Sequence, residues 1–334
     1  MDKIITVAVT ELEYEKGKAV FEKTESAGIH CVSVPHGENE LAQAIRENNI
    51  RYVIAGDGIY RDTLYDALSE GSLLARFGVG FDGIDLKKAT KKGILCTNTR
   101  DVLENSVAEF TFGLMLSASR HLVKMDNDTK NGKFIFQKGT ELYGKRLAVI
   151  GCGSIGSRVA CIASAGFGME VIGCDNRNID IEKIKHEYGF CTIVKEFTQA
   201  VEGAEFVTLH IPGTPDTIHY INKDRLSVMA ENSLLINTAR GVVVDENHLY
   251  EALVDGVIGG AALDVFENEP YFPVKPDKDL RTLPNVIMTP HAGSATSEAC
   301  ERMAKRALNN VYCAINNDNE NMDLLNKEVL SRIK

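Results

Sequence analysis

Along the chain, short apolar runs alternate with longer stretches in which apolar positions recur every three or four residues. Runs of the first kind suit strands buried on both faces. The second period suits helices laid over them, so the pattern predicts parallel sheets covered by helices. One group of runs comes early: IITVAV, HCVSV, YVIAG, LLARFG and ILCTN. A second group follows: RLAVIG, EVIGCD, FVTLHIP, SLLINT, GGAALDV and NVIMTP. Between them lies a helical stretch from about Leu103 to Asn131, with no sharp Pro/Gly linker. After NVIMTPH comes SATSEACERMAKRALNNVYCAINN, where Ser294 or Thr296 can cap a final helix. No strand follows that helix, so it must pack on a sheet already built, and the first group is the economical candidate. The expected division is a discontinuous domain, residues 1–102 and 292–334, with residues 103–291 inserted in it, a hinge at the two crossings and a cleft between the domains.

Composition changes this picture little. A chain of 334 residues has room for two cores, and 44% hydrophobic with 25% charged residues is ordinary for a globular protein. The net charge of −10 argues against nucleic acid or an anionic membrane as partner, though a single buried Arg can still bind a small anion. The start MDKIITVAVT has no basic stretch leading into a long apolar segment, and no run approaches the roughly 18 residues that span a bilayer. The eight cysteines form no Cys-x-x-Cys pair, and most lie in strand or helix patterns as reduced thiols. The expectation is a cytoplasmic protein, and the His, Cys, Asp and Glu spacings suggest no metal site.

The stretch LAVIGCGSIGSRVA places Gly151, Gly153 and Gly156 between a buried-strand run and a helical pattern, and the next strand run ends in Asp175, 19 residues after Gly156. In a dinucleotide-binding turn the first glycine makes the bend, the second lets backbone approach a pyrophosphate, and the third lets helix pack on strand. The helix N-terminus supplies amides and partial positive charge. Asp175 suits ribose hydroxyls and repels a 2′-phosphate, which favours NAD over NADP, although nearby Arg177 could tolerate a phosphate. A glycine turn used only for tight packing is the plainer alternative.

Three further stretches end strands: SLLINTARGVVVDE carries Arg240, GGAALDVFENEP carries Asp264 and Glu269, and NVIMTPHAGSAT carries His291. Ligands of doubly wound sheets bind outside the carboxyl ends of the strands, so these loops should converge there with the glycine turn. Hydride transfer to a 2-oxo acid needs such a set. His can protonate the carbonyl oxygen near neutral pH, a carboxylate can orient the imidazole, and Arg can clamp the substrate carboxylate and the developing alkoxide. Each residue also has a plain reading: Arg240 and Glu269 as solvated loop charges, His291 as a helix-entry residue. Asp245 reads as an N-cap. His210, after FVTL, reads as lining the cofactor site.

Together, VIGCGSIG, HIPGTPDTIHYIN, INTARGVVVDE, AALDVFENEP, TPHAGSAT and RFGVGFDGIDLKKATKKGILCTNT resemble the D-isomer-specific 2-hydroxyacid dehydrogenase family over nearly the whole length. The resemblance implies an α/β fold of two Rossmann-like parallel-sheet domains, with the NAD domain inserted into a discontinuous substrate domain. It implies Arg240 as substrate clamp, His291 as acid/base and Glu269 as its partner. Asp264 would meet the nicotinamide carboxamide. Thr238 and Ala239 would lie along NAD, Ser154 and Ile155 at the pyrophosphate, and His210, Pro212 and Gly293 among the other cofactor contacts. FGVGFDG would hold the substrate carboxylate through backbone N–H groups near Val79 and Gly80. Arg76 beside it reads equally as a second anion contact or as structural. The types most resembled are phosphoglycerate dehydrogenase and hydroxypyruvate/glyoxylate reductase, with a homodimer formed through the NAD domain and the stretch 103–140 at the contact. Phosphite oxidation, or an NADH-sensing corepressor on the same fold, are the alternatives.

Overall fold

The early apolar runs become five parallel strands: β1 (Ile5–Thr10), β2 (Ile29–Val34), β3 (Tyr52–Ala55), β4 (Leu73–Arg76) and β5 (Leu95–Thr97), in spatial order β2-β1-β3-β4-β5. The later runs form a second parallel sheet from β6 (Arg146–Ile150), β7 (Glu170–Cys174), β8 (Thr192–Val194), β9 (Phe206–Leu209), β10 (Leu234–Asn237), β11 (Gly260–Leu263) and β12 (Val286–Met288). This computed structural model describes residues 4–178 and 180–333. The chain divides into two compact units, Met1–Leu103 with Ala295–Lys334, and Glu104–Ser294. Helices on both faces explain why central strands such as β6 and β9 read as continuous apolar runs. Strand β8 has no counterpart among the runs picked out in the sequence. It is an edge strand of three residues, Thr192 is exposed, and so little apolar signal marks it.

The order of the second sheet is β12-β11-β10-β9-β6-β7-β8. Its direction reverses between β6 and β9, so the loops leaving their carboxyl ends run to opposite sides and leave a crevice. The stretch expected as one helix from 103 to 131 is two helices, Glu104–Ser119 and Leu122–Lys130, broken where His121 takes a left-handed φ of 54°. The first buries Val107, Ala108, Phe112 and Met115, while the second buries none of its residues.

In the first unit, the helix Ser297–Ile315 is capped by Thr296, whose hydroxyl accepts the Ala299 N–H at 3.1 Å. It lies against the helix Glu11–Phe21 at Gly17, where an added Cβ would come 2.9 Å from the Ala304 Cβ. Beyond it, buried Asp323 accepts from Arg100 Nε at 3.0 Å and Arg306 Nη2 at 2.8 Å. Asn326 accepts the Cys96 N–H and donates to the Ile94 carbonyl, both at 2.9 Å, which stitches the C-terminal segment to β5. Burial alone would raise the Asp323 carboxyl, but the two guanidinium groups outweigh it and hold it below the usual carboxylate range. A depressed folded value contributes stability above the unfolded value, and that contribution is lost as pH falls through the folded one. Asp323→Asn is therefore expected to lower unfolding stability by about 1–3 kcal/mol at pH 7. The deficit should shrink toward pH 3 in urea titrations. An unchanged midpoint at pH 7 would show that these ion pairs contribute nothing.

Candidate active site

The glycine turn joins β6 to the helix Ser154–Phe167. Gly151 sits at φ 97°, and a Cβ there would lie 2.5 Å from the His210 carbonyl oxygen across the crevice. At Gly156 a Cβ would run into the Gly151 carbonyl, whereas at Gly153 it would meet nothing nearer than 3.9 Å. Two glycines thus allow close backbone contact, and the middle one leaves open space at a helix N-terminus, the arrangement a pyrophosphate requires. A cavity of about 860 Å³ runs from Gly151 and Gly153 past Asp175 and Arg177 to Pro212 and Thr214. Its size and lining fit the adenosine diphosphate half of a dinucleotide.

Asp175, at the end of β7, accepts the Cys152 N–H at 2.9 Å and the Arg177 N–H at 3.0 Å. The Arg177 guanidinium completes a two-pronged ion pair with it at 2.9 and 2.6 Å. Burial works to raise this carboxyl, but Arg177 and the two amides outweigh it and hold it below the usual range. Asp175 is therefore ionised and already paired. On the other side of the crevice, burial pushes the His210 ring down to about 3, so it stays neutral, with Nε2 3.0 Å from the Thr208 hydroxyl.

The structure brings Glu269 and His291 together from loops 22 residues apart: His291 Nδ1 lies 2.7 Å from Glu269 Oε2. Glu269 Oε1 accepts the Phe266 N–H at 2.9 Å, which fixes the carboxylate plane. His291 takes a left-handed φ of 53°, and its N–H donates to the Asp264 carbonyl at 2.8 Å. Asp264 itself, 1% exposed, accepts the Thr289 hydroxyl at 2.6 Å and the N–H groups of Ala292 and Gly293 at 2.9 and 2.8 Å. Three of about four acceptor positions of that carboxylate are thus spent on the His291 loop.

Arg240 follows β10 on a loop that Asn237 shapes. The Asn237 side chain accepts the Ala239 N–H at 3.0 Å and donates to the Arg240 carbonyl at 2.9 Å. Arg240 Nη1 donates to the Ala239 carbonyl at 2.6 Å, and Thr238 meets Thr111 hydroxyl to hydroxyl at 3.0 Å. Asn237 and Gly241 escape a reading focused on charges. An Asn ending a strand run was the available signal, since its amide bonds local backbone. For Gly241 the reason is visible only in three dimensions, because a Cβ there would collide with the Phe266 backbone.

Among the residues of the first unit, Val79 and Gly80 follow β4 in a turn closed by Asn98, which donates to the Val79 carbonyl at 2.8 Å. Gly78, at φ 143°, donates to the Thr99 hydroxyl at 2.8 Å. Arg76 folds onto this turn, donating to the Phe77 carbonyl and packing against Gly78.

Residues 112–293 match the D-isomer specific 2-hydroxyacid dehydrogenase, NAD binding domain. The chain belongs to that family. Residues 112–293 are its NAD-binding domain, within an oxidoreductase family. The chain is 35% identical over 331 residues to a glyoxylate reductase of Korarchaeum cryptofilum, covering 97% of this chain and 96% of that protein. It is 39% identical over 298 residues to a D-3-phosphoglycerate dehydrogenase of Methanocaldococcus jannaschii, covering 89% of this chain and 55% of that protein, so it spans about half of that relative's length. A solved D-lactate dehydrogenase of Aquifex aeolicus, complexed with NAD and lactic acid, shares the fold with a TM-score of 0.79 at 30% identity, over 96% of this chain and 99% of that one.

Gly241→Ala tests how the Arg240 and Glu269 loops depend on each other. Pressing a methyl into the Phe266 backbone should cost about 1–3 kcal/mol and splay the two loops. A lowered Tm is expected, together with a weakened Phe266 N–H bond seen by amide hydrogen exchange. Wild-type stability and exchange would show that the loops do not rely on this contact.

Proposed function

We propose that the protein interconverts a small D-2-hydroxy acid and its 2-oxo acid with NAD(H), the substrate class being glyoxylate, hydroxypyruvate or 3-phosphoglycerate. The observation that carries this reading is the 2.7 Å His291–Glu269 pair at the carboxyl edge of a sheet that also presents Arg240 and a dinucleotide turn. Bound NADH supplies the hydride that reaches the substrate C2. As the carbonyl oxygen gains charge, His291 gives it the proton on Nε2, while Nδ1–H stays with the Glu269 carboxylate. Arg240 faces the substrate carboxylate and the developing alkoxide. The backbone N–H groups of Val79 and Gly80 are assigned to the substrate carboxylate, with Arg76 bracing them.

Ser154 and Ile155 are assigned to the pyrophosphate, Asp175 to the ribose, and His210, Pro212, Thr238, Ala239 and Gly293 to the remaining length of NAD. Asp264 acts there through the loop it holds. NAD is the preferred form because ionised Asp175 repels a 2′-phosphate, with the Arg177 pair reducing that repulsion. A homodimer through the NAD domain is supported by the apolar side chains left exposed after the helix Leu122–Lys130, with Phe134, Phe136 and Tyr143 at 99%, 86% and 78% exposure. No helix among the described residues is long and apolar enough to cross a membrane. A cytoplasmic enzyme without a nucleic-acid partner fits the net charge of −10.

The decisive experiment follows NADH loss with glyoxylate, hydroxypyruvate, pyruvate, 2-oxoglutarate and 3-phosphohydroxypyruvate. Turnover of at least one is expected, and none with any would contradict the reading. His291→Ala should cost about 10²–10⁴-fold in rate. Reduction needs His291 protonated, so activity falls as pH rises, and Glu269→Gln should move that fall to lower pH because an ionised carboxylate favours the imidazolium. A limb that stays in place in folded Glu269→Gln would break the pairing. Asp175→Ser should narrow the preference for NADH over NADPH, and equal wild-type efficiency with both would remove Asp175 as its source.

A further inference from the structure

The helix Glu246–Val254 follows the Arg240 loop, and its first residue is a glutamate only 4% exposed. Glu246 and Glu267 bond one another's backbone. The Glu246 N–H donates to Glu267 Oε1 at 3.0 Å, and the Glu267 N–H donates to Glu246 Oε1 at 2.7 Å. Glu267 stands two residues before Glu269, beside the Phe266 N–H that holds the Glu269 carboxylate. The reciprocal clamp therefore ties the segment presenting Glu269 to the start of a helix.

The other oxygen of Glu246, Oε2, is buried and has no hydrogen-bond partner among the described residues. A bare carboxylate oxygen in that position is costly, whereas a protonated carboxyl group is tolerated. The surroundings act the same way. Asp245, which caps the same helix, and Glu267 and Glu269 on the segment after β11, all bring negative charge. Tyr271, on that same segment, also feels Glu246. The nearby histidines lie against these other carboxylates: His219 is 2.8 Å from Glu267 and 3.5 Å from Asp245, and His248 Nδ1 is 2.8 Å from Asp245, though not aligned for a hydrogen bond. Lys278 pairs with Glu251 farther along the helix. Burial pushes Glu246 up to about 7. The Glu267 N–H opposes this, and the charges of Glu267, Glu269 and Asp245 add to it.

We propose that Glu246 is a positioning residue for the Glu269–His291 pair: its carboxyl group fixes the segment that presents Glu269, and loss of its buried proton adds a negative charge at that segment that helps to keep His291 protonated. The inference rests on the acid/base reading of that pair. Its consequence is compensation. As the solution becomes too alkaline for an imidazolium, a second carboxylate appears that favours it. Reduction then persists to higher pH than the Glu269 charge alone would allow.

Glu246→Gln keeps an acceptor for the Glu267 N–H and cannot ionise. The first readout is an NMR titration of the His291 ring, assigned by comparison with His291→Ala, which needs neither substrate nor turnover. The midpoint should fall by about half a pH unit in the variant, and the alkaline limb of 2-oxo acid reduction should move with it. The variant should also gain thermal stability over wild type at pH 8 relative to pH 5. A carboxyl whose folded value is raised costs stability as pH climbs from its unfolded value to its folded one, and Gln does not. In wild type, the ¹³C shift of the Glu246 carboxyl should titrate near pH 7, a measurement that needs no variant. An unmoved His291 midpoint in folded Glu246→Gln, or a Glu246 carboxyl titrating near 4, overturns the proposal. If wild type reduces no 2-oxo acid while the His291 midpoint still shifts, the functional reading fails and the coupling stands. Reduction with an unmoved midpoint sinks the coupling alone.

Discussion

Asp264 is a carboxylate removed from water at the end of β11, and the hydroxyl of Thr289 and the amides of Ala292 and Gly293 satisfy it. Buried without those donors it would cost several kcal/mol, so the loop after β12 has to wrap around it. That wrapping forces His291 into a left-handed backbone conformation and points its ring toward the loop after β11. There the Phe266 N–H fixes Glu269 in the receiving position. The Glu269–His291 pair is thus a by-product of how a buried charge finds its hydrogen bonds. Its geometry is set by backbone, which is more rigid than two long side chains meeting in solvent would be.

The same economy recurs along the carboxyl edge. Asn237 uses both ends of its amide to turn the chain so that Arg240 leaves the sheet edge. Gly241 has no side chain because the Phe266 backbone occupies that space, which joins the Arg240 loop to the Glu269 loop. On the cofactor side, the His210 carbonyl closes over Gly151 from the neighbouring strand. In each case the residue that sets the loop is small, buried or amide-bearing.

This division explains what the sequence discloses. The parallel sheets were legible because strands buried on both faces leave unbroken apolar runs, and the glycine spacing was legible because a nucleotide turn permits few alternatives. Arg240, Glu269 and His291 stood out as charged residues following strand runs. Strand β8 did not, since a three-residue edge strand buries little. Nor did the helix break at His121, where no Gly or Pro marks the left-handed turn. Gly241 and Glu246 were hidden for another reason. Their importance lies in contacts with residues 25 and 21 positions away, Phe266 and Glu267, and no local pattern encodes such a meeting. Arg177 was visible, but its ion pair with Asp175 was not, because charged side chains two residues apart can point anywhere until the fold orients them.

In the proposed reaction Glu269 holds one nitrogen of His291 so that the other can carry the transferable proton. The ¹⁵N shifts of the His291 ring, followed from about pH 5 to 9, read this directly, because protonated and bare ring nitrogens resonate far apart. Nδ1 is expected to stay protonated throughout, held by the carboxylate 2.7 Å away, while Nε2 loses its proton across the titration. A neutral ring with its proton on Nε2 and a bare Nδ1 facing Glu269 would contradict it.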